Sequence, residues 1–527
     1  MTLASLVSRS VHLLAAGVCV AACSSPPASQ SAPPVDAPAG AEAAAPLPEQ
    51  ALLEDLVVAN RILTREAGIL DIQAHVSARS RTDPTHWYMA RFVAPGGATL
   101  SDMIEYDLES TPVKGPRNDN ARETFLHGQI FKARPDVMAV VHAHTPEFVA
   151  FGVSSVPLYW GPGRQVPVWD IRPVNGGRSG IVSSNELGQS MAETLSQNEA
   201  VLLWGHGISL TAKSLPEAIH RVIALRENAR RQLAAVSIGS SGRPELIADD
   251  EAADQRLWDH YERIDLKPEG GKVPMEPAPM PTKPGDPVGG AKHDLMMANR
   301  ILVSDSVGLL DNGGVVSLRN PSNPDRYFVA TASPGSVTLD DIIERDLRNP
   351  GPDTMGLSIH DEIYKAKPNV NAVLYARPTD VAVFTDNVAL RPVVNGAAFI
   401  GNGLPVFNMS SLDARQPLLS NPAFGQGVAA ALGERPGVLL SGHGVVMTGR
   451  SIYNVVGSSY QLRQNARIQQ MAISLRGRVT TLPVAPAATA ANAANAGAGP
   501  QGGGGGQQLG PPEGRDWVYW AQTTSLD

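Results

Sequence analysis

The chain repeats itself, and a repeat restricts architecture more than any other feature of a sequence. Ala59-Asn60-Arg61-Ile62-Leu63 returns as Ala298-Asn299-Arg300-Ile301-Leu302, and Ser77-Ala78-Arg79 as Ser317-Leu318-Arg319. His127-Gly128-Gln129-Ile130-Phe131-Lys132-Ala133-Arg134-Pro135 has its counterpart in His360-Asp361-Glu362-Ile363-Tyr364-Lys365-Ala366-Lys367-Pro368. Further on, Gly205-His206-Gly207 matches Gly442-His443-Gly444, and Asn228-Ala229-Arg230 matches Asn465-Ala466-Arg467. The offsets stay between 233 and 240 residues, the length of a domain and not of a solenoid unit. Two tandem domains are expected, over 49–265 and 292–478.

With 527 residues, 43% of them hydrophobic and 18% charged, the chain has apolar material for a core in each copy. The other stretches read as connections. Residues 24–48 are Ser, Pro and Ala with little to bury, 266–291 form a Pro/Gly/Lys-rich linker, and 479–514 are low in complexity and expected to be disordered. The segment 515–527 carries Trp517, Tyr519 and Trp520, an echo of Trp258 and Tyr261 after copy one. Such an aromatic cluster beyond a tether is expected to bury itself against its own body or a neighbouring subunit.

The 51 acidic residues outnumber the 43 basic ones, giving a formal charge of −8 with no basic block, so nucleic acid is excluded as an expected partner. At the N-terminus, Arg9 precedes an apolar run from Val11 to Ala22 that is too short to span a bilayer stably and reads as an export signal. It ends Val20-Ala21-Ala22-Cys23-Ser24, which resembles a bacterial lipoprotein box with Cys23 as the lipidated residue. An ordinary secretory signal cut nearby is the alternative. The expected mature protein is an exported lipoprotein of the cell envelope, facing the periplasm or the cell surface, with its lipid as the only membrane contact. Both cysteines, Cys19 and Cys23, lie in this leader, so a metal elsewhere must be held by histidines and carboxylates.

Within a copy, helical and extended patterns alternate. Leu52 to Leu63 has apolar residues at helical spacing, while Val137 to Val141 and Ala200 to Trp204 are short apolar runs fit for buried strands. Ser214-Leu215-Pro216-Glu217 has the spacing of a helix start. The class is α/β.

The chemistry concentrates in Val140-Val141-His142-Ala143-His144-Thr145-Pro146. Residues i and i+2 of a strand share a face, so His142 and His144 can converge on one ion. Alone, this pair is equally two polar histidines at a strand end. His206 adds a third imidazole between two glycines, directly after an apolar run, where backbone can approach closely. Glu123 precedes His127 by one helical turn on Ala121 to His127, and a carboxylate beside a divalent cation can move protons. A solvated helical Glu beside a core His is the other reading.

These residues resemble the class II aldolase/adducin family, across nearly all of 49–240 and more loosely across 292–475. Glu123 precedes His142 by 19 residues and His144 precedes His206 by 62, spacings similar to the family's. The resemblance implies two three-layer α/β/α sandwiches around mixed, largely antiparallel sheets, and a metal-dependent carbon–carbon lyase site. Its metal ligands would be His142, His144 and His206, its acid/base Glu123, and its cofactor a divalent ion, Zn2+ first and Mn2+, Co2+ or Mg2+ next. The family's sugar-phosphate aldolases carry a Gly-Asn-x-Ser loop and a Ser-Ser pair before the Glu. This chain has His75-Val76-Ser77-Ala78-Arg79 and Ala121-Arg122 there, which weakens a phosphorylated sugar as substrate. It looks most like the branch containing dihydroxyphthalate decarboxylases. His75, Ser77, Arg79, Arg122 and His127 would bind substrate, with Arg79 and Arg122 suited to a carboxylate; surface ion pairing is the other reading of both arginines.

Aligning His127 with His360 puts Tyr375, Arg377 and Gly356 where copy one has His142, His144 and Glu123, so only His443 survives and copy two is expected to hold no metal. The family's sites lie between subunits of a cyclic tetramer, and a homo-oligomer is implied, two chains making a pseudo-tetramer. The expected activity is aldol cleavage or decarboxylation of a small hydroxy carbonyl or carboxylate compound. The alternative is a non-catalytic, adducin-like binding or scaffold lipoprotein.

Overall fold

The structure is a computed structural model that describes residues 48–523 apart from 117–122, 179, 241–250, 267–269, 277–280, 305–306, 312, 352–356, 386–387, 410–420 and 483–514. Cys23, Arg122, Gly356, the leader, residues 24–47 of the tether, and residues 483–514 of the low-complexity stretch lie outside the described residues.

In copy one the strands are β1 (His75–Arg79), β2 (His86–Ala90), β3 (Met103–Asp107), β4 (Pro112–Lys114), β5 (Ala139–Ala143), a separate hairpin of β6 (Tyr159–Gly161) and β7 (Arg164–Gln165), then β8 (Val168–Trp169), β9 (Ala200–Leu203) and β10 (Gly207–Ala212). Their eight-stranded sheet runs β4-β3-β2-β1-β5-β10-β9-β8 and is antiparallel except between β8 and β9. Because side chains alternate along a strand, neighbouring residues serve opposite faces. Val76, Val141, Leu202 and Leu210 pack under Leu56 of α1 (Pro48–Arg61), while Val140 and Val201 pack under Leu126 and Ile130 of α2 (Thr124–Ala133). The first face also takes α3 (Pro146–Val153) and α5 (Leu215–Ser237), and the second takes α4 (Asn185–Leu195). This is the expected α/β/α sandwich. Ser214 caps α5 by accepting from the Glu217 amide, as its sequence requires. Helix α6 (Glu251–Asp265) then returns over copy one and buries Trp258.

Copy two repeats the plan. After α7 (Pro287–Val303) come β11 (Val315–Arg319), β12 (Arg326–Ala330), β13 (Ile342–Asp346), α8 (Ser358–Ala366), β14 (Ala372–Ala376), the short α9 (Thr379–Ala382), β15 (Val406–Phe407), α10 (Pro422–Leu432), β16 (Gly437–Leu440), β17 (Gly444–Gly449) and α11 (Ile452–Ser474). The seven-stranded sheet runs β13-β12-β11-β14-β17-β16-β15. Two boundaries differ from the sequence reading. The linker ends earlier than 291, because Asp286 caps α7 at the Gly289 amide and Pro287 sits at its first turn. Helix α2 starts at Thr124, so Glu123 is its N-cap residue and not part of a helical turn.

Among the described residues, contacts between the copies include two made by helices. Val149, Ala150 and Val153 of α3 pack on Ile468 and Ala472 of α11. The closing aromatic segment forms α12 (Arg515–Thr523), whose Trp517 and Trp520 meet Tyr453 and Tyr460 edge-on in the core of copy two. Its Tyr519 reaches across to Gly96 of copy one.

Candidate metal centre

Sheet register builds the site. β1 and β5 pair so that His75 lies opposite His142, and β5 and β10 pair so that Ser209 lies opposite His142 on the other side. His142 is wholly buried on the α2 side, and His144 follows where β5 ends before Pro146. The turn that carries His206 needs both its glycines. Gly205 has φ +62°, and a Cβ on Gly207 would collide with the Ala143 carbonyl.

The three imidazoles meet through their Nε2 atoms, 3.0 Å between His144 and His142 and 3.4 Å between His142 and His206. Nitrogens about 2.05 Å from a tetrahedral zinc would stand about 3.3 Å apart. Glu123 Oε2 faces the same point, 3.4 Å from His206 Nε2 and 3.6 Å from His142 Nε2, while its Oε1 accepts from the Val182 amide. One ligand atom from each of the four lies within 4.8 Å of the rest. The opposite ring nitrogens are engaged. His144 Nδ1 is 3.0 Å from Asp71 and His142 Nδ1 is 3.2 Å from Ser209 Oγ, contacts that favour the tautomer with a bare Nε2. The donor set fits a divalent ion: borderline nitrogen donors, one carboxylate, and rings already turned inward.

The electrostatics agree. Burial pushes the His142 imidazolium down to about 4, so the ring is neutral and able to ligate. Burial alone would raise the Glu123 carboxyl, but His206 and His142 outweigh it and hold the group well below its ordinary range. Burial likewise works against ionised Asp71, and the adjacent His144 together with the Gln73 and Ala74 amides overrides it, bringing the acid to about 2.

The structure brings His75, Ser77 and His127 to the inner side of this cluster, all buried. It does not bring Arg79. That guanidinium donates to the main-chain carbonyls of Val137, Pro84, Phe131 and Arg134 and lies over the Phe131 ring, which ties the strand end to α2. Arg79 is therefore corrected from substrate binding to a fold contact. Asp71 and Ser209 were missed by sequence reasoning. Asp71 did leave a signal, since Gly68-Ile69-Leu70-Asp71 returns as Gly308-Leu309-Leu310-Asp311. The Val182 amide left none, because a backbone donor carries no residue type.

In copy two the equivalent groups satisfy one another. Tyr375 Oη lies 2.6 Å from His443 Nε2, and Arg377 pairs with Asp311 at 2.9 Å. Among the described residues, the only group of ligands that fits a metal is the one in copy one.

A mixed sheet between helical layers, with three imidazoles and a carboxylate converging beside it, defines a metal-binding α/β protein. The chain belongs to the family of the class II aldolase and adducin N-terminal domain, whose model matches residues 54–233 and again 295–470. It is 27% identical over 194 residues to Decarboxylase tropJ of Talaromyces stipitatus, covering 33% of this chain and 72% of that protein. It is 32% identical over 131 residues to the 3,4-dihydroxyphthalate decarboxylase of Rhodococcus jostii, covering 23% of this chain and 51% of that one. It is 26% identical over 170 residues to the 5-methylthioribulose-1-phosphate/5-deoxyribulose-1-phosphate aldolase of Rhodospirillum rubrum, covering 30% and 72%. The chain thus spans about half the length of one of these relatives and most of the other two. All three named activities are lyases.

Proposed function

We propose that this protein is a divalent-metal-dependent carbon–carbon lyase acting on a small hydroxy carboxylate, with decarboxylation favoured over aldol cleavage. The observation that carries the reading is the four-donor cluster of Glu123, His142, His144 and His206, complete in copy one and replaced in copy two. Zinc is the proposed ion, because three imidazoles with one open side suit it. Once bound, it would supply charge stabilisation for the electron pair left on the substrate when the bond breaks.

The protein's own groups do the rest. The histidines hold the ion, Asp71 and Ser209 keep two of the rings oriented, and the ionised Glu123 accepts a proton from the substrate hydroxyl at Oε2 and returns it to carbon. Its Oε1 bond to the Val182 amide keeps Oε2 aimed at the cluster. The departures from a phosphate-binding loop at His75 and before Glu123 favour a carboxylate over a sugar phosphate. Copy two is proposed to support copy one, with two chains associating into a pseudo-tetramer, and Cys23 to anchor the exported protein by lipid. Among the described residues no helix is long and apolar enough to cross a membrane.

The test is metal content by mass spectrometry on protein starting at Ser24, purified without chelator, beside the His142→Ala/His144→Ala double variant. One ion per chain, lost in the variant, is expected. No ion in either, even after reconstitution, would move the assignment to a non-catalytic binding protein.

A further inference from the structure

Behind the ligand cluster, three buried side chains form an unbroken hydrogen-bonded line. Ser77 Oγ lies 2.6 Å from His127 Nδ1, and His127 Nε2 lies 2.7 Å from His75 Nδ1. The line ends at the site. His75 Nε2 is 3.9 Å from Glu123 Oε2, and the His75 ring stacks on that of His142 with centroids 5.0 Å apart.

Each contact in the line holds one proton, so the line has two consistent senses. In one, Ser77 donates to His127 Nδ1, His127 donates from Nε2 to His75 Nδ1, and His75 carries its proton on Nε2, facing the Glu123 carboxylate. In the other, every donor reverses and the bare lone pair of His75 Nε2 faces that carboxylate. An acceptor set against a buried anion is costly, whereas an N–H set against it is favourable. A charged ring is a third state, and the line is buried, where a charge is costly.

Copy two isolates what copy one adds. Ser317 Oγ lies 2.7 Å from His360 Nδ1, the same pair, but Val315 stands opposite Tyr375 where His75 stands opposite His142. The serine–histidine pair belongs to the fold, and its extension through His75 belongs to the copy that keeps its ligands.

We propose that Ser77 and His127 are positioning residues that fix His75 as an Nε2–H donor aimed into the site, where it recognises an anionic substrate oxygen. The identity of that oxygen rests on the carboxylate-lyase reading above; the tautomer does not.

Nitrogen NMR on the full chain made with 15N-histidine reads the tautomers, with His75 and His127 assigned by the signals lost in His75→Gln and His127→Gln. Both rings are expected to be protonated on Nε2 and bare on Nδ1. A His75 proton on Nδ1 overturns the proposal. The duplication supplies the control. Ser77→Ala and Ser317→Ala both remove the serine–histidine bond, the second also a contact with Tyr364 Oη, so both are expected to lower Tm, but only Ser77→Ala should redistribute the His75 signals between tautomers. Unchanged His75 signals in Ser77→Ala also overturn it. With 3,4-dihydroxyphthalate as probe, Ser77→Ala is expected to raise KM about tenfold at unchanged metal content, and Ser317→Ala to leave KM alone. Expected tautomers with no turnover of any carboxylate would sink the reaction and leave the positioning role standing.

Discussion

Arg377 pairs with Asp311 at 2.9 Å, and the two hold the positions that His144 and Asp71 hold, 3.0 Å apart, in copy one. One acid position orients an imidazole in the first copy and neutralises a guanidinium in the second. Tyr375 with His443 makes the matching substitution for His142 with His206. The backbone around both sites is the same, with Gly442 at φ +64° and Gly444 against the Ala376 carbonyl. The Tyr375→His/Arg377→His variant is therefore expected to bind a second ion per chain. An unchanged metal count would mean that copy two has drifted out of ligating geometry.

Glu123 Oε2 sits beside two ligand nitrogens, yet the three histidines suffice to hold an ion. Glu123→Gln should keep the metal while lowering turnover by about 10²- to 10⁴-fold. Equal turnover would remove Glu123 from proton transfer.

Asp71 touches the candidate ligand cluster through His144. Replacing it with Asn is expected to weaken metal affinity about 10- to 100-fold, read by competition with a chelator. An unaltered affinity would assign the pair to the fold alone.

Trp520 is almost fully buried and meets Tyr460 edge-on. Trp520→Ala should cost about 3–5 kcal/mol, seen as a lower urea midpoint, with metal content preserved. A shift well under 1 kcal/mol would show that α12 adds little to the core of copy two.

Much of this was legible before any coordinates, because the repeat supplied its own comparison. His142 and His144 follow from a strand's two-residue period, and His206 from flanking glycines that the structure explains by a positive φ and a close approach. Arg79 was misread for a reason the sequence also contained. Arg319, in the copy without ligands, makes equivalent contacts to the carbonyls of Val370, Pro324, Tyr364 and Lys367, so the residue serves the fold. Asp71 was overlooked because an acid in a loop has no periodicity to mark it. The start of α7 was missed because Gly289 and Gly290 outweighed the Asp286-Pro287 signal in a stretch read by composition.

Helix α3 begins two residues after His144 and rests its Val149, Ala150 and Val153 on Ile468 and Ala472. A ligand of copy one is thus braced, one helix removed, by side chains encoded far downstream in a copy that keeps one of the three histidines. A genetic screen for lost activity should accordingly recover changes in α11 alongside those at the ligands.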